Sequence, residues 1–391
     1  VFSIGQNGIT NTSGNNYISY CFTSKPGFSK VGSYTGNGST SGPMVQTGFE
    51  PAFLMVKRTD SGDNWLVFDN KRNTTNPTNL ALIPNSTAAE SVGNLGNGFS
   101  FYANGFQVVS TDSGVNANGG NYIYLAFAAD GSTATPSLAN SFETQTWTGN
   151  NAVRTIPYNF KPDLWFAKNY TATNGYGHYW TWIDSIRGGN SVLYSNVTNA
   201  AAATGNAFSF VNAGVTFNTS GSNGHNENAF NFAGYAFKAG GGAPSINTDG
   251  TITSIVSANE AAGFSVVNWS GNGSNDTIGH GLSAAPEMII YKSISSAQNW
   301  TVLTTAIDGS PDGLVLNDTS VKFNIGAAGA TPTSTVFGNV GFPSNMIAYC
   351  FKSISGYSKV GIYTGNGSVT GPIITTGFQT NFVLIKRTDG T

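Results

Sequence analysis

Charge is scarce in this sequence of 391 residues. Charged residues make up 9% of it, and 17 Lys and Arg against 19 Asp and Glu leave a net charge of −2. Average soluble domains carry about 25% charged residues, so Asn, Ser, Thr and 50 Gly must supply most of the polar surface here. Without a basic field to hold a phosphate backbone, no nucleic-acid binding is expected. This neutral, turn-rich composition favours a protein located outside cells or on the virion surface.

Long apolar runs and catalytic signatures are also missing. The longest apolar run, at 122–129, is far shorter than the ~20 residues of a membrane-spanning helix, so we expect no membrane insertion. His178, His225 and His280 form no metal-binding spacing, and the chain has no nucleophile elbow, phosphate-binding loop or cysteine cluster. No pair of carboxylates recurs that could hydrolyse a glycoside. We therefore predict no enzyme activity, no cofactor and no metal site.

Cysteine is almost absent. Cys21 and Cys350 occupy the same place in two copies of a repeat, and Ala126 and Ala236 take that place in two other copies. A position that accepts either residue is typical of a small buried site, in which a free cysteine packs as a hydrophobe. We predict free thiols and no disulfide.

Self-similarity, in contrast, is abundant. The segment YTGNGS at 34–39 returns unchanged at 363–368, and the related turns WTGNNA and WSGNGS lie at 147–152 and 269–274. Fixed landmarks of this kind indicate a repeat architecture, here with modules of about 100 residues. We predict complete modules at 28–133, 142–240 and 262–354, the end of a preceding module at 1–27, and the start of a following module at 358–391. Because the repeat is cut at both ends, we expect a longer natural polypeptide.

The pattern within each module predicts short β-strands. PAFLMVKR at 51–58 is apolar on both alternations, which is typical of a central strand buried on both faces. Asn104-Gly105 predicts a hairpin turn, and the segment 251–259 predicts an additional strand. Short linkers with proline, at 131–141 and 238–250, favour modules arranged as a rod. The expected fold class is all-β, with tandem antiparallel β-sandwich or jelly-roll modules.

The recurring turns supply one set of candidate ligand contacts. Their Gly-Asn-Gly core provides the positive φ angles that a tight strand corner needs, and the loop is neutral and displayed at intervals. Two readings stay open, a ligand-facing loop and a structural corner. The asparagines concerned are Asn37, Asn150, Asn272 and Asn366.

Recurring tryptophans supply the second set, namely Trp65, Trp180 and Trp300. An indole face can stack on a sugar ring, although tryptophan in a sandwich strand more often packs in a core. Trp65 and Trp180 are each followed by an Asp-x-x-Arg sequence, Asp69–Arg72 and Asp184–Arg187, whose spacing suits an ion pair that closes a turn.

A lysine also recurs after the central strand, at Lys57, Lys168, Lys292 and Lys386. It predicts either a contact to an acidic partner, an inter-module salt bridge, or a strand-end side chain whose charge reaches water, and we favour the last. Asn-x-Ser/Thr sequons are numerous and include Asn85, Asn196 and Asn317. Such sites are glycosylation acceptors only if the source glycosylates asparagine.

The run YTGNGS…GPMVQTGFEPAFLMVKRTDSGDNWLVFDNKR, followed by GVNANGGNYIYLAFAAD, resembles repeats in tail-fibre-like and other virion structural proteins of marine tailed phages. Those repeats are β-sandwich modules similar to the concanavalin A-like jelly roll. The resemblance covers nearly the whole chain and is clearest at 14–130 and 345–389, while WTGNNAVRT in the second module departs from the turn. It implies architecture and location and carries over no site residues.

These observations lead to one main hypothesis and two alternatives. The main hypothesis is a structural and adhesive fibre protein, foremost a phage tail fibre or similar virion appendage. Its partners would be further copies of itself and cell-surface glycans, bound weakly at many sites. One alternative is a bacterial surface adhesin or self-assembling extracellular filament. The other is a carbohydrate-binding module array attached to an enzyme.

Overall fold

The computed structural model describes residues 12–17, 19, 21–24, 27–92, 98–128, 141–171, 179–219, 224–325, 331–339 and 342–389. His178 and most of the predicted linker 131–141 lie outside these ranges. The described residues form antiparallel β-sheets and one four-residue helix, so the all-β prediction is confirmed. The chain divides into two compact units, Val1–Ser100 with Gln107–Ala129, and Phe101–Phe106 with Asp130–Thr391.

The first sandwich has a large sheet in the order β1-β9-β3-β4, a small sheet in the order β2-β8-β7, and the pair β5-β6. Its elements are β1 (Ser29–Thr35), β2 (Met44–Gln46), β3 (Pro51–Arg58), β4 (Trp65–Asp69), β5 (Leu80–Ala81), β6 (Ser91–Val92), β7 (Phe99–Tyr102), β8 (Gly105–Val108), α1 (Ser113–Asn116) and β9 (Asn121–Ala128).

The second sandwich repeats this plan, with a large sheet in the order β10-β18-β12-β13-β14-β15 and a small sheet in the order β11-β17-β16. Its strands are β10 (Phe142–Thr148), β11 (Arg154–Pro157), β12 (Leu164–Asn169), β13 (Thr181–Asp184), β14 (Ser191–Tyr194), β15 (Ala202–Ala203), β16 (Phe208–Val211), β17 (Gly214–Phe217) and β18 (Asn231–Phe237).

The third sandwich has a large sheet in the order β19-β20-β21-β28-β23-β24-β25-β26 and the pair β22-β27. Its strands are β19 (Ser245–Asn247), β20 (Ser254–Asn259), β21 (Phe264–Ser270), β22 (Thr277–Gly279), β23 (Met288–Ser293), β24 (Thr301–Thr304), β25 (Asp312–Val315), β26 (Phe323–Asn324), β27 (Val336–Gly338) and β28 (Asn345–Phe351). The additional strand predicted at 251–259 is confirmed as β20, which extends the large sheet.

The core of each sandwich lies between its large and small sheets, because strand side chains alternate between two faces. In the second sandwich, Trp147 and Trp165 point inward from the large sheet and contact Phe217 of the small sheet, and Phe232 stacks on Trp147. Burial of each such side chain contributes on the order of 1.5–3 kcal/mol before entropy is counted.

The β7–β8 hairpin forms one residue earlier than predicted, since Ala103 and Asn104 make the turn and Gly105 begins β8. The equivalent hairpin of the second sandwich shows a reason for this position of glycine. Gly214 is the first residue of β17 and pairs with Val211. A Cβ at Gly214 would collide with the carbonyl oxygen of Ile156 in the neighbouring strand β11. Glycine is therefore required at this position because the neighbouring strand approaches closely, and not because of the turn.

The segment predicted as the start of a following module, 358–391, has no strand within its described residues, 358–389, which contain only the isolated bridge of Ser358 to Ile354. It contains a copy of β1, yet β1 is paired along its whole length with β9. In the described residues this copy of β1 pairs with no other strand.

The repeat position of the cysteines is buried in all three sandwiches, at Ala126, Ala236 and Cys350, as predicted. Cys21 differs, because it is exposed in a segment whose described residues form no strand. Both thiols are free. Burial raises the pKa of the Cys350 thiol to about 12.

This difference predicts the thiol chemistry of the chain. Cys21 should react with Ellman's reagent in the native protein, and Cys350 should react only after denaturation, because the thiolate is the reactive form. Counting thiols with and without denaturant tests this, and Cys21→Ala should remove the native reaction. Two rapidly reacting thiols in the native protein would contradict the structure.

Candidate functional site: the recurring turn and the packed sheet faces

A buried asparagine holds the recurring turn of the first sandwich. Asn116, at the end of α1, accepts the Asn37 backbone N–H through its side-chain oxygen at 2.9 Å. Its side-chain NH₂ donates to the carbonyls of Ser39 and Ser110, both at 2.7 Å. The turn is thus tied to the loop that precedes β9, and a buried amide with its groups paired is a stable arrangement.

The same clamp recurs in the other two sandwiches. Asn226 donates to the Ala152 carbonyl at 2.6 Å, and Asn339 donates to the Ser274 carbonyl at 2.8 Å. Asn339 also accepts the Trp269 indole N–H at 2.7 Å. Sequence reasoning missed these residues, although an asparagine five or six positions before the last strand of each sandwich was the available signal.

The predicted turn asparagines use their own side chains inside the turn. In each copy the side-chain oxygen accepts the backbone N–H two residues later, at 2.9–3.0 Å, which is an Asx-turn. These residues are Asn37, Asn150, Asn272 and Asn366. This hydrogen bond explains the recurring asparagines as part of a structural corner. A ligand contact at these residues stays a prediction.

The first glycine of the turn is required in three copies because a larger side chain has no room at its position. A Cβ on Gly36, Gly149 or Gly271 would collide with a backbone carbonyl oxygen of the clamping loop. At Gly365, in the fourth copy, nothing lies within 4 Å of such an atom. The recurrence of this glycine therefore follows from the clamp, which brings two backbones into close approach.

The three predicted tryptophans lie at the same point of the large sheet but differ in exposure. Trp65 is 36% exposed, Trp180 is partly buried, and Trp300 is fully buried. The backbone N–H of each donates to an asparagine side chain at 2.7–3.0 Å, and these acceptors are Asn85, Asn196 and Asn317. This hydrogen bond explains why the asparagine of those three sequons recurs.

Trp300 is buried because the second and third sandwiches pack through their large sheets. The outer face of each sheet, the one turned away from its own core, is apolar, and the two faces form one cluster. Trp182 of the second sandwich contacts Trp300 and Tyr349 of the third, with ring centroids 5.2 and 5.3 Å apart. The Trp300 indole N–H donates across the contact to the Tyr194 carbonyl at 2.8 Å.

A buried ion pair lies inside this contact. Arg187 donates to Asp184 at 2.6 Å, and Tyr349 of the third sandwich donates its hydroxyl to the same carboxylate at 2.9 Å. Arg187 in turn donates to the Tyr349 oxygen at 3.3 Å. Burial, and then the Asp184 charge, raise the pKa of Tyr349 well above its ordinary value, so the hydroxyl stays protonated. The Asp-x-x-Arg pair was predicted, but the tyrosine from the neighbouring sandwich was not.

Lys292 corrects the expectation that the recurring lysine extends its charge to water. Its ammonium group donates to the carbonyls of Thr198 and Gln298, both at 2.9 Å, and the side chain is buried. Burial lowers the pKa of Lys292 to about 8. Because Thr198 belongs to the second sandwich, this lysine joins the two sandwiches through a carbonyl and not through an acid.

Asp163 fixes the connection between the same two sandwiches. It accepts the backbone N–H groups of Ala239 and Gly241 at 2.7 and 2.9 Å, and the hydroxyls of Ser185 and Ser257 at 2.7 and 3.0 Å. Burial has the largest effect and raises the pKa of the Asp163 carboxyl, although the hydrogen bonds from these four donors act to lower it. The linker is therefore held to both sandwiches.

Two other kinds of site can be assessed in the described part of the chain. No group of three or more His, Cys, Asp or Glu side chains is placed there to hold a metal ion. Within the same residues, no helix has the length and apolar character needed to cross a membrane.

Comparison with known proteins identifies a family. The family described as "Domain of unknown function (DUF7483)" matches residues 1–130 and 137–391. The chain belongs to this family. No curated protein and no solved structure matches the chain.

The clamped turn generates a stability prediction with an internal control. Gly149→Ala should lower the free energy of unfolding by about 1–3 kcal/mol, because the new methyl group has no room beside the Glu227 carbonyl. Gly365→Ala should change it by less than about 0.5 kcal/mol. Urea unfolding followed by tryptophan fluorescence measures both, and equal effects would argue against the clamp.

The buried ion pair of Asp184 and Arg187 generates a second stability prediction. Asp184→Asn should cost about 3–5 kcal/mol, because it leaves Arg187 charged in a dry contact. The matched change Asp69→Asn removes the same pair from the first sandwich, where Asp69 and Arg72 are 22% and 26% exposed, and should cost about 0–1 kcal/mol.

Tryptophan fluorescence suits Asp184→Asn, because six of the seven tryptophans lie in the second unit. Circular dichroism suits the control in the first. If the two substitutions cost the same, the burial of Asp184 has no energetic consequence and this interpretation is wrong.

Proposed function

We propose that this chain is a structural repeat segment of an extracellular fibre, foremost a phage tail fibre or similar virion appendage. The observation that carries the proposal is the packing of the second and third sandwiches through the outer faces of their large sheets. A sandwich that folds for itself alone buries one face of each sheet and leaves the other to water. The second and third sandwiches bury both faces of their large sheets.

Such a second apolar face is of use in an array. In repeat proteins each module gains stability from its neighbour as well as from its own core. The contact here includes aromatic stacking, a buried ion pair with a tyrosine, and a lysine held by carbonyls of both partners. Together with Asp163 in the linker, these interactions support a stiff connection between successive modules.

Composition and resemblance support the location. A chain with 9% charged residues and 50 Gly presents a neutral, hydrogen-bonding surface, and its repeats resemble those of virion structural proteins. The adhesive part of the hypothesis, in which many weak contacts sum to useful avidity, fits the repetition of the modules.

Immunogold electron microscopy tests the proposal. Antibodies raised against the purified chain should label filamentous appendages of virus particles in the source culture. Label on cell-surface filaments would favour the adhesin alternative, and label confined to the cell interior would overturn both. Pre-absorption of the antibodies with the purified chain is the control.

A further inference from the structure

The first sandwich has the same outer face as the other two, but this face is exposed. Strand pairing fixes the equivalent positions, since Lys57, Lys168 and Lys292 pair with Ile123, Ala233 and Ile347. By the same register, Met55 corresponds to Phe166 and Ile290, and Val67 to Trp182 and Val302. The outer faces of the three large sheets therefore correspond residue by residue.

Apolar positions that are buried in the packed sandwiches are open in the first. Ile123 is 41% exposed, whereas Ile347 is buried. Leu82 bridges to Val67 and is 42% exposed, whereas Leu193 and Leu314 at the equivalent place are buried. With Trp65, these side chains form an apolar patch across the sheet, which we call the open face (Met55, Trp65, Val67, Leu82, Ile123 and Leu125).

The polar groups around the open face are balanced in charge. Arg72 contacts both Asp69 and Glu90, and Lys57 donates to the Arg58 carbonyl at 2.8 Å. Two positive and two negative side chains thus surround the apolar patch. Two copies of a face with balanced charges do not repel each other, and an apolar patch with a polar rim has the character of a protein interface.

We propose that the open face binds the same face of a second copy of this chain. The inference rests on the proposed function, because it identifies one contact by which such fibres associate laterally. The occupant follows from the chain itself, since the second and third sandwiches already show that this face takes the equivalent face of a related sandwich. Those two faces are occupied by each other, so neither is available to the open face, and we assign a second copy of the chain as its occupant. Pairing of one face with itself gives a closed two-fold dimer.

Sedimentation velocity of the full chain, over about 1 to 200 µM, measures the association. We expect a monomer–dimer equilibrium that Ile123→Lys and Leu82→Lys each weaken at least tenfold, because two copies of each charge enter the interface. Ile123→Val should keep the dimer. The control Val153→Lys adds the same charge at an exposed residue of the second sandwich and should leave the dimer unchanged.

Circular dichroism must show that each variant is folded. A chain that stays monomeric at every concentration overturns the inference, as does a dimer that is insensitive to both substitutions on the open face. A monomer whose Trp65 fluorescence responds to cell-wall polysaccharide also overturns it and assigns the face to glycans. Monomeric protein together with labelled appendages would remove this inference and leave the proposed function standing.

Discussion

The contact between the large sheets of the second and third sandwiches is the interaction on which the second unit depends. It takes the second face of each sheet out of water and converts two sandwiches into one packed body with a continuous aromatic cluster. Apolar burial supplies the free energy, while the enclosed ion pair restricts the geometry, since Asp184 and Arg187 need Tyr349 in place to be fully hydrogen-bonded. A buried charge pair adds little stability by itself, and its better-supported effect is to favour one arrangement over others.

This double burial explains how much of the fold could be predicted. The pattern of Pro51–Arg58, apolar on both alternations, predicted a central strand buried on both faces. The strand is central in its sheet, but only its inner face is buried, because Met55 on the outer face belongs to the open face. The all-β class and the extra strand β20 followed from similar patterns. Periodicity reports that a face is apolar, but not what covers it. For that reason the sequence could not show that Trp300 is enclosed while Trp65 is exposed.

Polar residues were harder to predict, because their roles depend on partners distant in sequence. Asn116 acts on a turn 79 residues away, and Tyr349 acts on a carboxylate 165 residues away. The recurrence of an asparagine before the last strand marks the position of Asn116, but no local pattern gives the partner of either residue. Lys292 was misjudged for the same reason, as the carbonyl of Thr198 that receives it lies 94 residues earlier. Cys21 shows the converse case, in which the repeat predicted a buried position but the thiol is exposed.

Comparison among the copies separates two kinds of constraint. The turn glycine, the clamping asparagine and the asparagine beneath the tryptophan recur in all three sandwiches, so they belong to the fold of one module. Outer-face residues vary instead. The position of Tyr349 is Leu125 in the first sandwich, and the position of Asp184 is Thr304 in the third. Differences at the face that contacts a neighbour are what pairing specificity requires, because each face must distinguish its partner from similar ones. The recurring residues thus belong to the fold of one module, and in the second and third sandwiches the outer-face residues make the contact with the neighbour.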